Sequence, residues 1–294
     1  MMKGWIGDRI QRLVASRGYL LLAKWRLPEP DIRKMFDAMG YVLLPKSYLY
    51  SSKAQPLDDS VDYFIVPKSR SWRLGSAIHS KKLLETLQID CVLDVGANLG
   101  QYRDFLRDEV GFRGPIISFE PIPSHARAMS ERAKSDENWV VEGCALGSSS
   151  GEAPFNVMKS SQFSSFLSPD HHAVKLFETQ NQLDHQVTVP IQTLDGVFPD
   201  IERRFNCSRV FLKVDTQGYD LEVIKGARDT LTKVQALQIE ASVKPIYKGM
   251  PDYVTAISTL ERLGFELSGI FPNNSGHFPR LIEFDAVMIR KTLL

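Results

Sequence analysis

The stretch Cys91-Val92-Leu93-Asp94-Val95-Gly96-Ala97-Asn98-Leu99-Gly100 reads as a short apolar strand that ends in an acid and passes through a glycine turn into a helix. The helix follows because Leu99, Tyr102, Phe105, Leu106 and Val110 fall on one face over Leu99 to Val110. Upstream, Lys81 to Leu87 has a helical pattern. Downstream, Pro115 to Phe119 is a strand ending in Glu120, Ile122 to Lys134 a helix, and Trp139 to Val141 the start of another strand. The pattern resumes with a strand at Val210 to Val214, a helix from Tyr219 to Leu231 and a strand at Ala236 to Ile239. A helix near Tyr253 to Leu263 and strands at Phe265 to Ile270 and Phe284 to Ile289 close the chain. Alternating strands and helices predict an α/β fold with a doubly wound, mostly parallel sheet of seven strands. The loop from Pro272 to Leu281 is too short for a parallel crossover, so the last strand runs antiparallel.

In such sheets a ligand sits beyond the carboxyl ends of the strands. Gly96 and Gly100 let the backbone approach it without a Cβ in the way. A dinucleotide would want G-x-G-x-x-G, and here Asn98 takes the place of the second glycine. A P-loop would want Lys-Ser/Thr, which is absent too. Asp94 instead puts a carboxylate at the strand end, which repels phosphate and suits a cofactor bearing an ammonium group, as S-adenosylmethionine does. Glu120 lies 24 residues past Gly96, about where these folds set an acid on ribose hydroxyls. The plainer alternatives are a tight turn beside two solvated acids, or a nicotinamide site.

Composition narrows the field. The chain has 294 residues, 43% apolar and 24% charged, with 36 basic against 35 acidic groups and a formal charge of +1. Neither disorder nor a domain-wide nucleic-acid footprint fits these values. Three cysteines form no disulfide framework, and Cys91 and Cys144 lie in or beside apolar runs as buried thiols. No apolar run approaches the ~20 residues that cross a bilayer, and the five residues Tyr19 to Ala23 make no signal peptide. The expected address is the cytoplasm. Residues 1–34 carry eight basic and three acidic groups, a net of +5, and Trp5, Ile6, Ile10, Leu13 and Val14 recur at helical spacing. That basic amphipathic helix would pack on the main domain or a second subunit, or lie on an anionic membrane surface. Between about 35 and 80 the chain reads as a connecting region with little regular structure. The expected domains are therefore a helical and irregular extension over 1–80 and a catalytic domain over 81–294.

Val92 to Tyr102, Phe119-Glu120-Pro121, Ala145-Leu146-Gly147 with Gly151-Glu152, and Lys213-Val214-Asp215-Thr216-Gln217-Gly218-Tyr219-Asp220 with Leu221 to Ala227 closely resemble the FkbM family of S-adenosylmethionine-dependent methyltransferases. The resemblance spans roughly residues 80–290. Thr216-Gln217 and Asp220 stand where the family often has Val-Glu or Val-Gln and Glu. It implies a class I methyltransferase domain, Rossmann-like. It also implies a cofactor site built from Asp94, Gly96, Ala97, Asn98, Gly100, Tyr102, Glu120, Pro121, Cys144, Ala145 and Asp215, and a hydroxyl acceptor on a sugar of a glycolipid, polysaccharide or glycosylated natural product.

Methyl transfer is an in-line displacement whose main demand is proximity, and a hydroxyl nucleophile gains from a general base. Asp215 ends an apolar strand before Gly218, with Lys213 on the same side of the strand. It reads as a base or as half of a structural ion pair with Lys213, since an ammonium in such a run needs a partner. Glu240 occupies the next strand end. His277, in the polar loop from Asn273, is a further acid–base candidate, and Asp285 reads as structural. Ser160 to Phe166 interleaves hydroxyls and aromatics, which suits a loop facing cofactor or sugar. His171 and His172 are adjacent and point apart, so no metal site is expected. A nicotinamide-dependent oxidoreductase and a non-catalytic cofactor-binding module are the competing functions.

Overall fold

The computed structural model describes residues 20–23, 34, 36–38, 40–45, 61–67, 72–171, 175–273 and 279–293. The chain divides into two compact units, one reaching to Lys82 and including Asp104–Gly111, the other formed by Leu83–Arg103 and Phe112–Leu294. In the first, Leu20–Ala23 (β1), Tyr41–Pro45 (β2) and Val61–Pro67 (β3) form an antiparallel sheet in the order β1-β3-β2. The sequence reading expects little regular structure between 35 and 80. Its apolar pieces are too short for helices, yet long enough for strands, and Pro45 and Pro67 close them where a missing N–H ends a ladder. The basic helical pattern before residue 20 lies outside the described residues.

The second unit holds the seven-stranded sheet. Its strands are Cys91–Val95 (β4), Ile116–Phe119 (β5), Trp139–Glu142 (β6), Val210–Val214 (β10), Val234–Ser242 (β11), Phe265–Pro272 (β12) and Glu283–Arg290 (β13), in the order β12-β13-β11-β10-β4-β5-β6. Only β13 is reversed, and it inserts between β11 and β12. β4, β5 and β10 are buried along their whole length, as strands covered on both faces must be. Helix Leu74–Thr86 (α1) precedes β4 in the chain, and Gln101–Phe105 (α2), Pro123–Ala133 (α3), Leu194–Phe205 (α4), Asp220–Lys225 (α5) and Tyr253–Arg262 (α6) lie between successive strands. Among the described residues no helix is long and apolar enough to cross a membrane.

A small second sheet follows β6. Ala145–Leu146 (β7) runs parallel to Leu183–Gln192 (β9), which pairs antiparallel with Gly151–Met158 (β8). The sequence reading lacks β9, although Val187, Val189 and Ile191 alternate there, and it lacks α4, whose N-cap Thr193 accepts a hydrogen bond from Gly196 N. It also runs one helix from Tyr219 to Leu231. The helix stops at Lys225, and its C-cap Gly226 lies against the Gly147 backbone, where a Cβ would sit 2.0 Å from the carbonyl oxygen.

Candidate functional site

The site grows from the turn after β4. Gly96, Asn98 and Gly100 all have left-handed φ angles of 79°, 51° and 84°. A Cβ on Gly96 would lie 1.8 Å from Asp215 O, so only glycine lets the ends of β4 and β10 approach this closely. Gly96 N and Ala97 N donate to Phe119 O, and Asn98 N donates to Glu120 Oε2 at 2.7 Å. Glu120 Oε1 accepts from Ile122 N at 2.9 Å, so the acid ties the glycine turn to the start of α3. Burial pushes the Glu120 carboxyl up to about 7, against the pull of those two N–H donors. His125 Nδ1 stands 4.0 Å from Glu120 Oε1, and burial holds its imidazole below the ordinary value.

Asp94 is wholly buried. Its Oδ2 accepts from Ser118 Oγ at 3.1 Å, and Oδ1 faces Lys213 Nζ at 3.1 Å as an ion pair without an aligned hydrogen bond. The ammonium that Asp94 faces is thus that of Lys213. Lys213 Nζ also reaches Gly96 O at 3.2 Å and Asp215 Oδ2 at 3.5 Å, and lies over the Tyr102 ring at 5.4 Å. Burial alone would lower the Lys213 ammonium, but Asp94 and Asp215 together hold it above its ordinary value. Asp215 differs from Asp94 in access, its side chain being 37% exposed.

Beyond Asp215 the carboxylates are linked by amides. Gln217 Nε2 donates to Asp215 Oδ1 at 3.2 Å and to Glu240 Oε2 at 2.5 Å. Asn273 Nδ2 donates to Glu240 Oε1 at 3.0 Å and to Asp285 Oδ1 at 3.1 Å. Burial, followed by the neighbouring Glu283 and Asp215, raises Glu240 well above its usual value, and burial pushes Asp285 up to about 6. The loop from Ser160 reaches the same place: Ser161 Oγ donates to Asn98 Oδ1 at 3.1 Å, and Ser165 Oγ to Gln217 O at 2.8 Å.

Asp94, Gly96, Tyr102, Lys213, Asp215 and Glu240 therefore stand together, with Asn98, Glu120 and the buried Ala97 on the turn beside them. Tyr102 donates to Gln238 Oε1 at 3.2 Å, Gly100 packs against the Trp139 ring, and Pro121 follows Glu120 at the start of α3. Cys144 and Ala145 are buried in packed clusters, Cys144 with Leu194 and Phe198, Ala145 with Ile122 and Phe155. Burial pushes the Cys144 thiol up to about 12. His277 lies outside the described residues. Sequence reasoning gives Gln217, Asn273 and Tyr247 no role in the site. Gln217 sits inside the Lys213–Asp220 block and could have been found there, whereas nothing local marks Tyr247 or Asn273.

No curated protein matches the chain. Among solved structures it is similar to fibrillarin of Aeropyrum pernix with natively bound S-adenosyl-L-methionine, at 14% identity over 79% of this chain and 80% of that one, TM-score 0.37. It is likewise similar to the fibrillarin pre-rRNA processing protein of Methanococcus jannaschii, at 14% over 85% and 88%, TM-score 0.42. A third is magnesium protoporphyrin IX methyltransferase of Synechocystis PCC 6803 with bound S-adenosylmethionine, at 8% over 91% and 100%, TM-score 0.40. None of these likenesses carries the assignment. A family model does, the methyltransferase FkbM domain, which matches residues 94–267 from the buried Asp94 through the Lys213–Asp215 pair and beyond, more than half of the chain. That match closes the oxidoreductase alternative, and this chain belongs to the FkbM methyltransferase family.

Proposed function

We propose that this methyltransferase transfers the methyl group of S-adenosylmethionine to a hydroxyl, that of a sugar in a glycolipid, polysaccharide or glycosylated natural product. The residue set suits that donor. Asp94 and Asp215 hold the Lys213 ammonium, and the Glu120 and Asp285 carboxyl groups act on it at longer range. Such a set favours a cation and disfavours a phosphate. When bound, the donor supplies an electrophilic methyl on a sulfonium whose departure needs no acid. The glycine turn, Asn98 and Glu120 would hold it, with Asp215 at its methyl end.

The acceptor hydroxyl needs to lose a proton, and one observation supports Asp215 for that task. It is an accessible carboxylate of the group, with Oδ2 facing Lys213 and Oδ1 held by Gln217. Lys213 keeps it oriented, and the amide and aromatic side chains around it suit a neutral polyol. The three cysteines are free and buried, which suits a reducing compartment, so the cytoplasm is the proposed address. The catalytic domain is proposed to begin near residue 81.

Incubation with methyl-labelled S-adenosylmethionine and a panel of neutral methyl glycosides tests the reading. Label should enter an ether, and Asp215→Asn should lower kcat by about 10²–10⁴-fold while adenosylhomocysteine binding persists. Label appearing only on amines, or undiminished turnover in Asp215→Asn, would overturn it.

A further inference from the structure

Gln217 adopts a left-handed backbone, φ 53°, although the conformation favours glycine. A side chain kept at such a position against backbone preference points to what it touches. Its carboxamide makes three contacts: Nε2 to Asp215 Oδ1 and to Glu240 Oε2, and Oε1 with the Tyr247 hydroxyl at 2.9 Å. The flipped amide would aim its carbonyl oxygen at the Asp215 carboxylate and take a donor away from it, which favours the orientation described. Tyr247 is almost wholly buried, and its one hydroxyl hydrogen is shared between Gln217 Oε1 and Phe163 O, the latter at 2.7 Å. Ser165 Oγ, itself accepting from Leu167 N, donates to the Gln217 carbonyl and fixes the backbone.

An amide between two carboxyl groups offers one hydrogen to each and brings no charge. Glu240 gains a second such donor from Asn273, which reaches on to Asp285. Lys213 could not do this for Glu240, because Asp94 and Asp215 already hold its ammonium. We propose that Gln217 is a positioning residue of the methyl-transfer centre, its carboxamide fixing Asp215 beside Glu240 in the one rotation that leaves a lone pair for the acceptor proton. This rests on Asp215 acting as the base.

Two measurements test it. In the unliganded chain labelled with side-chain ¹⁵N-glutamine, the Gln217 amide (assigned by its loss in Gln217→Met) should show two separate, slowly exchanging protons. Asp215→Asn and Glu240→Gln should each shift them. A Gln217 amide resembling a solvated one, indifferent to both substitutions, would overturn the inference. In turnover of the neutral glycosides, the near-isosteric Gln217→Met should lower kcat at least tenfold with the KM for S-adenosylmethionine within twofold. Gln217→Glu should regain activity relative to the parent as pH falls, because a protonated acid donates again. A merely structural role would not produce that recovery. Loss of turnover in Asp215→Asn with parental kcat in a folded Gln217→Met sinks this inference alone. Parental turnover in Asp215→Asn sinks the base assignment and this inference with it.

Discussion

Asp94 and Asp215 hold the same ammonium from different environments. Asp94 is sealed in the sheet between Lys213 and Ser118, whereas Asp215 is about a third exposed. Their substitutions should therefore separate stability from activity. Asp94→Asn removes a charge from a buried pair and should cost about 3–5 kcal/mol in urea unfolding. Asp215→Asn, with solvent at hand, should cost about 1 kcal/mol or less on the same measure, while turnover falls. A small loss in Asp94→Asn would mean that Asp215 alone satisfies Lys213. The buried acid thus reads as support for the ammonium, and the open one as the group that meets the acceptor.

At the scale of elements, the turn between β4 and α2 depends on two backbones in contact. Gly96→Ala adds a Cβ 1.8 Å from Asp215 O at a left-handed φ, and should cost more than about 2 kcal/mol by urea unfolding. Gly75→Ala in α1 meets nothing within 4 Å and should stabilise by about 0.5–1 kcal/mol on the same measure. Equal effects at the two glycines would remove the close approach from the account of this turn. The central strands β4, β5 and β10 were legible because each is a short, mostly apolar run that ends beside an acid or a glycine turn. β9 was less so: it alternates, and its polar half faces outward. The early stop of α5 was not legible at all, since Gly226 meets Gly147 only after the 78 residues between them have folded. Gln217 was visible as a letter in a recognisable block, but its bond to Glu240 joins two strand ends and has no local signature.

Across the whole molecule, burial holds several carboxyl groups above their ordinary values: Glu120, Asp220 and Glu283 at about 7, Asp285 at about 6, and Glu240 well above normal. The folded chain therefore binds more protons than the unfolded one between roughly pH 4 and 7. The stability these groups contribute is complete below their unfolded values and is lost as pH rises through the folded ones. The unliganded protein should accordingly melt several degrees higher near pH 5.5 than near pH 8, and Glu283→Gln should flatten that difference. A melting temperature that climbs over this range would refute the claim that these acids are charged at a cost.

By itself the sequence determined the alternating α/β architecture, the reversed last strand and the glycine turn, because each is written in periodicity or in residues a few positions apart. It also supplied the motifs that mark the family. Only the tertiary structure decided where the reversed strand inserts, that Asp94 is spent on Lys213, and that amides link Asp215, Glu240 and Asp285. Those facts depend on which strand ends become neighbours, and residues more than a hundred positions apart meet only when the sheet has closed.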